Sequence, residues 1–267
     1  MSGARNTGTR LDPIVESVRA RQAALGPLTE AVEPDPARVT RFTRALRGPG
    51  LSFIAECKRR SPSAGDFGAT LTVAERAAAY ADAGADALSI LTEADHFGGH
   101  PEDLAAAGGA GIPRLRKDFL LGVDMVKRSV RMGADAVLLL AVCLDDAELT
   151  DLRDAARDLG LAVLLEVHDE AELDRALRVQ PDCVGVNARD LRTFEVDLAV
   201  AERLLPLIPA GHVRVAESGI RCAADAARMA AAGADAVLVG EALMRAPDPG
   251  ALLAAWREGR DLGGARR

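Results

Sequence analysis

The sequence GADALSI at 84–90, repeated as GADAVLL at 133–139 and GADAVLV at 233–239, contains the pattern that decides the fold of this chain. In each copy an alanine-rich stretch with helical periodicity ends at a glycine, and a short apolar run follows. Glycine is the usual residue after the last turn of a helix, and an unbroken apolar run is typical of a strand buried on both faces. The three copies therefore predict a repeated unit in which a helix is followed by a parallel strand.

Outward from these copies, eight apolar runs have the character of buried strands. They lie at 52–58, 85–92, 113–119, 134–141, 161–167, 183–189, 212–217 and 234–240. Helical patterns lie between them at 71–83, 122–132, 145–159, 169–179, 197–208 and 222–232, with a weaker one after Pro101. Strict alternation implies parallel strands, and eight units predict an α/β fold with a single (β/α)8 TIM barrel. The alternative is an open flavodoxin-like or Rossmann sheet, although no G-x-G-x-x-G follows the first strand.

Two further helices are predicted before the first strand, over residues 11–24 and 38–47. They divide the chain into an N-terminal helical extension, residues 1–50, and a catalytic barrel domain, residues 51–267. The extension has two interpretations, which the sequence leaves open. It forms a structural cover over one end of the barrel, or it acts as a lid on the substrate site.

Composition and charge limit the classes of partner. Hydrophobic residues make up 49% and charged residues 27%, which is typical of a globular chain that buries a sizeable core. The formal net charge of -7 disfavours nucleic acid and anionic membranes as partners. The four cysteines lack a C-x-x-C pair, and no apolar stretch has the length of a membrane span. We expect a cytoplasmic monomer that acts on a small molecule, with no nucleic-acid and no membrane partner.

Charged side chains occur at the ends of the predicted strands, where the reacting groups of such barrels lie. The first strand ends FIAECKRRSPSAG, and its period of two places Glu56 and Lys58 on one face and Cys57 on the other. Because inward charges are costly unless they are paired, this arrangement indicates a polar substrate site. Candidates at later strand ends are Lys117, Glu166, Asn187, Arg189, Glu217 and Ser218.

A phosphate site is predicted after the last two strands. Ser218 and Gly219 follow the seventh strand and Gly240 and Glu241 follow the eighth, where barrels often bind phosphate through backbone N–H groups. Since a carboxylate aimed at phosphate would repel it, we expect the Glu241 side chain to point away. The alternative is that both glycines only serve tight turns.

Metal and cofactor sites have little support in the sequence. His96 and His100 lie four residues apart in HFGGH, but the two glycines between them oppose a helical metal site. No H-E-x-x-H helix, P-loop lysine motif or serine-hydrolase set occurs along the chain. We predict no metal and no cofactor.

Seven stretches, taken in order, resemble the signatures of one family. They are IAECKRRSPSAG, ILTEADHFGGHPEDL, LRKDF, LLEVHDEAEL, GVNARDL, VAESGI and VLVGEALM. They are similar to those of the indole-3-glycerol-phosphate synthase family, and the likeness extends over residues 11–256. The first stretch, RKDF and N-x-R-D-L are specific to that family, whereas the glycine-containing turns are shared by many sugar-phosphate barrels.

The resemblance implies a carboxy-lyase of tryptophan biosynthesis that needs no cofactor. Its substrate would be 1-(2-carboxyphenylamino)-1-deoxyribulose 5-phosphate, which is closed, decarboxylated and dehydrated to indole-3-glycerol phosphate. Lys117 would be the general acid at the ketone or the departing hydroxyl, Glu166 its acid-base partner, and Lys58 the partner of the substrate carboxylate. The residues that would orient the lysines and bind sugar hydroxyls are Glu56, Asn187 and Glu217. Those that would hold the phosphate are Ser61, Arg189, Ser218, Gly219 and Gly240, and those that would wall the anthranilate ring are Phe97 and Phe119.

One segment departs from the family pattern. LLGVDMVKRSVRM at 120–132 replaces the D-P-Y-Q-like stretch that commonly opens this helix, which leaves open whether the chain serves general tryptophan synthesis or a specialised pathway. Two other enzymes are alternatives, namely another sugar-phosphate barrel isomerase and a Schiff-base aldolase with Lys117 as the nucleophile. The paired Glu56 and Lys58 argue against both. A non-enzymatic alternative is a regulatory or scaffold barrel that binds a sugar phosphate.

Overall fold

Eight parallel strands close into a barrel in the computed structural model, which describes residues 11–61, 65–68, 71–191 and 193–261. The strands are β1 (Ser52–Cys57), β2 (Ala87–Leu91), β3 (Arg114–Lys117), β4 (Ala136–Leu140), β5 (Ala162–Val167), β6 (Cys183–Asn187), β7 (Val213–Glu217) and β8 (Ala236–Val239). Strand β1 pairs with β2 on one side and with β8 on the other. The predicted (β/α)8 barrel is confirmed, and the open-sheet alternative is wrong because the first and last strands pair with each other.

Helices alternate with these strands. Two precede the barrel, α1 (Asp12–Leu25) and α2 (Ala37–Ala45). The later ones are α3 (Val73–Asp82), α4 (Pro101–Ala106), α5 (Val123–Arg131), α6 (Asp146–Asp158), α7 (Glu170–Arg178), α8 (Leu198–Leu204), α9 (Ala223–Ala231), α10 (Glu241–Arg245) and α11 (Pro249–Asp261). Within the described residues, no helix combines the length and the apolar character needed to span a bilayer.

The repeated GAD joint connects each helix to the barrel by hydrogen bonds. Gly84, Gly133 and Gly233 have φ of 86°, 85° and 96°, a conformation that ends the preceding helix and that glycine adopts without strain. The aspartate of each copy accepts a hydrogen bond from a backbone N–H near the start of the neighbouring strand. The pairs are Asp86 with Phe53, Asp135 with Arg114 and Asp235 with Arg214, at 2.8, 2.8 and 2.9 Å. Asp182 makes the same bond to Val163, so the joint occurs a fourth time without its glycine.

The two N-terminal helices lie at opposite ends of the barrel. Helix α1 buries Ile14, Val15 and Val18, and its Arg21 bonds to Glu93 in the loop after β2. Helix α2 lies near the starts of the strands, where Arg41 pairs with Asp135, immediately before β4. The extension therefore covers the amino-terminal end of the barrel with one helix and borders its carboxyl end with the other.

Several local elements differ from the sequence predictions. The predicted helix over 197–208 ends at Leu204 and continues as a 3-10 turn, Leu205–Leu207, because Pro206 has no N–H for a helical bond. Strand β3 is shorter than the predicted 113–119 and ends at Lys117. The next residue, Asp118, accepts hydrogen bonds from Thr92 and Arg116. A short hairpin that pairs Arg60–Ser61 with Gly65–Asp66, and helices α10 and α11, were absent from the sequence predictions.

Candidate active site

A cavity of about 170 Å³ lies at the carboxyl ends of the strands, and every strand of the barrel contributes to its wall. The strand residues in the wall are Glu56, Leu91, Lys117, Leu138, Leu140, Glu166, Asn187, Glu217, Leu238 and Val239. Helix α1 adds Leu11, just before its first turn, and Ile14. The cavity thus combines apolar walls with a charged floor.

The charged floor is organised around Lys117 at the end of β3. Its Nζ lies 3.2 Å from Glu166 Oε2 on β5 and 3.1 Å from Glu217 Oε2 on β7. Asn187 on β6 donates from Nδ2 to the other oxygen of Glu166 at 2.8 Å. These side chains come from strands far apart in sequence, and the closure of the barrel brings them to one point.

Burial and the charges of neighbouring side chains shift the pKa values of Lys117, Glu217 and Glu166 differently. Burial disfavours the charge of Lys117, but the carboxylates of Glu217 and Glu166 outweigh it and raise the pKa of Lys117 above its ordinary range. Burial raises the pKa of Glu217 to about 7. Burial acts on Glu166 in the same direction, yet Lys117, His168 and Asn187 together hold its pKa below the ordinary range. The site therefore contains a protonated lysine between a firmly ionised carboxylate and one that titrates near neutrality.

A second ion pair lies at the end of β1. Lys58 Nζ is 2.7 Å from Glu56 Oε1. The two charges that the period of two along β1 predicted on one face therefore form an ion pair. Gly240, directly after β8, makes room for this pair, because a Cβ there would overlap Glu56 Oε1 and lie 2.9 Å from Lys58 Nζ. The Lys58 ammonium also lies 5.5 Å from the centre of the Phe67 ring. This lysine is thus held at the cavity wall by a carboxylate and an aromatic face.

The turn after β7 has an unusual backbone. Ser218 and Gly219 both have positive φ, 66° and 80°. A Cβ at Gly219 would lie 2.8 Å from side-chain atoms of Val196 and Leu198, so this position has no space for a larger residue. Turns of the backbone can bind anions through successive N–H groups, which makes this turn a candidate anion site.

Arg189, which follows β6, forms a charged group with Glu241 and Arg245 of α10. Arg189 donates from Nη1 to the carbonyl of Phe194 at 3.1 Å, and its Nη2 lies 3.9 Å from Glu241 Oε2. Arg245 donates to Glu241 Oε1 at 3.0 Å. Glu241 is one of the residues that line the cavity, and its carboxylate pairs with these two arginines.

Aromatic and aliphatic side chains form the opposite wall. The rings of Phe97 and Phe119 are 6.3 Å apart and inclined at 37°. Leu11 and Ile14 of the N-terminal segment border the same cavity. The cavity can therefore hold a flat apolar group at one side and an anion at the other.

Comparison with known sequences decides the family. The family model described as "Indole-3-glycerol phosphate synthase" matches residues 12–255 of the chain.

The chain belongs to the indole-3-glycerol phosphate synthase family.

Curated relatives support the same membership of the indole-3-glycerol phosphate synthase family. A relative named "Indole-3-glycerol phosphate synthase" from Opitutus terrae is 45% identical over 92% of this chain and 98% of its own length. One from Mycolicibacterium smegmatis is 44% identical over 91% of this chain and 92% of its own length. "Indole-3-glycerol phosphate synthase 2" from Streptomyces coelicolor is 48% identical over 88% of this chain and 92% of its own length.

Similar solved structures support the fold alone, because their sequence identity to this family member is low. The 3-hexulose-6-phosphate synthase from Salmonella typhimurium superposes with a TM-score of 0.63 at 16% identity, covering 80% of this chain and 100% of its own. The thiamine phosphate pyrophosphorylase from Pyrococcus furiosus has a TM-score of 0.59 at 16% identity, with coverage of 82% and 98%.

The structure brings together the site residues that the sequence predicted for this family. Those whose side chains the structure describes all border the cavity: Glu56, Lys58, Phe97, Lys117, Phe119, Glu166, Asn187, Arg189, Glu217, Ser218, Gly219 and Gly240. The Ser61 side chain lies outside the described part of the chain. Glu56 and Glu217 contact the lysines Lys58 and Lys117, and Asn187 donates to Glu166.

Some residues of the site were not selected from the sequence. Leu11, Ile14 and Arg221 border the cavity, but a sequence pattern does not show which end of the barrel a preceding helix or a following loop covers. Gly185 on β6 lies beneath Glu217, and a Cβ there would overlap Glu217 Oε1. The signal for Gly185 was a glycine inside an apolar strand, which often marks close approach by another group.

Proposed function

We propose that the chain is an indole-3-glycerol-phosphate synthase, a carbon–carbon lyase that converts 1-(2-carboxyphenylamino)-1-deoxyribulose 5-phosphate to indole-3-glycerol phosphate. The reaction closes the pyrrole ring and releases carbon dioxide and water, so it is redox-neutral and needs no cofactor. The observation that carries the proposal is Lys117 between Glu166 and Glu217 on the floor of the cavity. This grouping places a proton donor and two acceptors around one point.

Lys117 acts in this proposal as the general acid. Its pKa is raised by the two carboxylates, so the ammonium is present throughout the neutral range. It donates to the substrate ketone while the ring carbon attacks, and it assists the later departure of the hydroxyl as water. Glu166 stays ionised and stabilises the positive charge that develops at the substrate nitrogen, and Glu217 exchanges protons near pH 7.

Lys58 recognises the carboxylate that leaves as carbon dioxide. Its ammonium already lies against Glu56 at 2.7 Å, so the substrate carboxylate becomes a second anionic partner for a lysine whose position is set. Glu56 keeps that lysine in place when the carbon dioxide has gone. Gly240 permits both side chains to stay close to the end of β8.

The phosphate occupies the turn after β7 and the start of α10. In this proposal the backbone N–H groups of Ser218, Gly219 and Gly240, which line the cavity, donate to the phosphate, and Arg189 supplies a positive charge nearby. Ser61 is proposed as a further contact. The anthranilate ring lies against Phe97 and Phe119, which are suited to a flat apolar group.

The remaining predictions on biological context stay proposals. We keep residues 1–50 as a helical extension and residues 51–267 as the catalytic domain, although residues 1–10 and 262–267 lie outside the described part of the chain. Leu11 and Ile14 of the extension belong to the wall of the site. We propose a monomer in the cytoplasm with a small sugar phosphate as substrate. The pathway is tryptophan biosynthesis or a specialised route that uses the same product.

The Schiff-base alternative is disfavoured by the charges around its nucleophile. An amine must lose its proton to attack a carbonyl, whereas Glu166 and Glu217 hold the proton on Lys117. Borohydride trapping in the presence of substrate separates the two chemistries, since only the aldolase leaves a covalent adduct on Lys117. Tight binding of a sugar phosphate without turnover at any pH would favour the non-enzymatic alternative.

The direct test incubates purified protein with 1-(2-carboxyphenylamino)-1-deoxyribulose 5-phosphate and follows indole fluorescence. We expect turnover by the parent and a loss of about 10²-fold or more in Lys117→Ala and in Glu166→Ala, a typical effect of removing an acid-base group. Arg228→Ala is the matched control, because Arg228 pairs with Glu202 on the exposed surface. A folded parent without turnover would overturn the assignment.

A further inference from the structure

His168 follows strand β5 and lies between two carboxylates. Its Nε2 is 3.3 Å from Glu166 Oε1, and its Nδ1 is 3.0 Å from Glu172 Oε2 in the first turn of α7. The backbone N–H of His168 also donates to Glu172 at 2.9 Å. The side chain is 13% exposed, so the ring is enclosed on the outer side of the catalytic cluster.

Each ring nitrogen of His168 lies next to a carboxylate oxygen. A neutral imidazole has a single N–H, and its other nitrogen would turn a lone pair toward a carboxylate. Nε2 is buried and has no aligned hydrogen-bond partner among the described residues, so its stabilisation comes from the charge of Glu166. Burial opposes protonation, but the glutamates outweigh it and raise the pKa of His168 to about 10. The imidazolium is therefore the form that suits both neighbours.

Several other side chains surround the carboxylate of Glu166. Lys117 on β3 contacts Oε2 of Glu166, and Asn187 on β6 donates to Oε1. Glu217 on β7 competes with Glu166 for the same lysine. Cys143, after β4, lies in the field of Glu166 and Glu172, and burial raises the pKa of its thiol so that it adds no charge. Within this described surrounding, His168 supplies the second positive charge on Glu166.

We propose that His168 is a positioning residue that remains an imidazolium throughout turnover, keeps Glu166 ionised and holds its Oε2 toward Lys117. The effect on turnover rests on the proposed function, whereas the charge of His168 does not. The charge of His168 and its effect on turnover are therefore tested by two separate measurements.

The first measurement is the protonation of His168 by two-bond ¹H–¹⁵N NMR of the imidazoles. The chain has four histidines, so the resonance that survives in His96→Asn, His100→Asn and His212→Asn belongs to His168. We expect an imidazolium pattern that does not titrate between about pH 6 and 8.5, where an unperturbed histidine loses its proton. A neutral pattern, or titration near the ordinary histidine pKa, would overturn the proposal. In Glu172→Gln the same resonance should begin to titrate at lower pH, because one of its two carboxylates is lost.

The second measurement is the pH dependence of kcat in His168→Asn. Loss of a positive neighbour makes protons bind more readily to the Glu166–Glu217 pair, so the acidic limb should move to higher pH by about one unit. KM should change little. The control is His212→Asn, since His212 lies before β7 with Nδ1 2.6 Å from the carbonyl of Pro181.

The pH profile and the NMR titration bear on different parts of the proposal. An unmoved acidic limb in His168→Asn, equal to that of the His212 variant, counts against the positioning role. Absence of turnover in the parent would overturn the proposed function, and the NMR result alone would then decide the charge of His168.

Discussion

Gly185 on β6 lies directly beneath the carboxylate of Glu217 on β7, at a distance that leaves no space for a Cβ. The register explains the contact, because Gly185 pairs with Val215 and Asn187 pairs with Glu217. The missing side chain allows Glu217 to occupy the position from which it reaches Lys117. A glycine in a buried strand thus makes room for the charged cluster at the floor of the cavity.

Gly185→Ala should therefore displace Glu217 from Lys117. We expect kcat to fall by about 10²-fold, the effect of losing an aligned acid-base group, and stability to fall by roughly 1–3 kcal/mol because the new methyl overpacks the core. Steady-state kinetics and urea unfolding measure the two effects. Gly109→Ala is the control, since its Cβ would meet nothing within 4 Å. An alanine variant at Gly185 with parental kcat would contradict the proposed role of this glycine.

Glu217 should make the protein less stable as the pH rises. Its pKa in the folded protein is raised from 4.5 to about 7, so its contribution is favourable below pH 4.5 and is lost as the pH rises through about 7. The Glu217→Gln variant lacks this titration. The free energy of unfolding of the variant minus that of the parent should therefore be larger at about pH 8 than at about pH 5, by roughly 1–3 kcal/mol. Urea unfolding at both pH values measures the change, with Glu202→Gln as a surface control. A difference in free energy of unfolding that is the same at both pH values would argue against the raised pKa of Glu217.

Gly219→Ala should weaken phosphate binding. The residue has φ of 80°, and a Cβ would lie 2.8 Å from Val196 and Leu198, so the turn must move. We expect KM to rise about tenfold or more, along with a loss of roughly 1–2 kcal/mol in stability from the backbone strain.

The control for that variant is Gly233→Ala. Gly233 has φ of 96° but lies before β8, with Arg214 as the nearest neighbour of an added Cβ at 3.7 Å. It should lose comparable stability and retain the parental KM. Equal KM values in both variants would show that the β7 turn does not hold the phosphate.

Arg21→Ala should loosen the wall of the site. Arg21 joins α1 to Glu93 and Asp95, each at 2.8 Å, and Glu93 in turn accepts the backbone N–H of Phe97. We expect KM to rise about two- to fivefold with a smaller change in kcat, since a partly exposed ion pair contributes up to about 1 kcal/mol. Arg228→Ala, which removes an exposed pair elsewhere, should leave KM unchanged. A fall in kcat without any change in KM would contradict the proposed role of α1 in binding.

The local sequence was sufficient for much of the architecture. The GAD copies predicted the helix-to-strand joints because a glycine with positive φ and an apolar run depend on few neighbours. The same copies did not show that Asp86 would accept a hydrogen bond from Phe53, since the two residues are 33 positions apart in the chain. The N-terminal helices were likewise predicted as helices, but their placement at opposite ends of the barrel depends on contacts such as Arg21 with Glu93 and Arg41 with Asp135.

The sequence by itself determined the alternation of strands and helices, the family signatures and the identity of the charged residues at the strand ends. Periodicity and residue type are local properties, and they suffice to place Glu56 and Lys58 on one face. Only the tertiary structure decided which charges meet, since Lys117 reaches Glu166 and Glu217 through the closure of the barrel. Their protonation follows from that proximity and from burial, because a pKa depends on the charges and the solvent around a group.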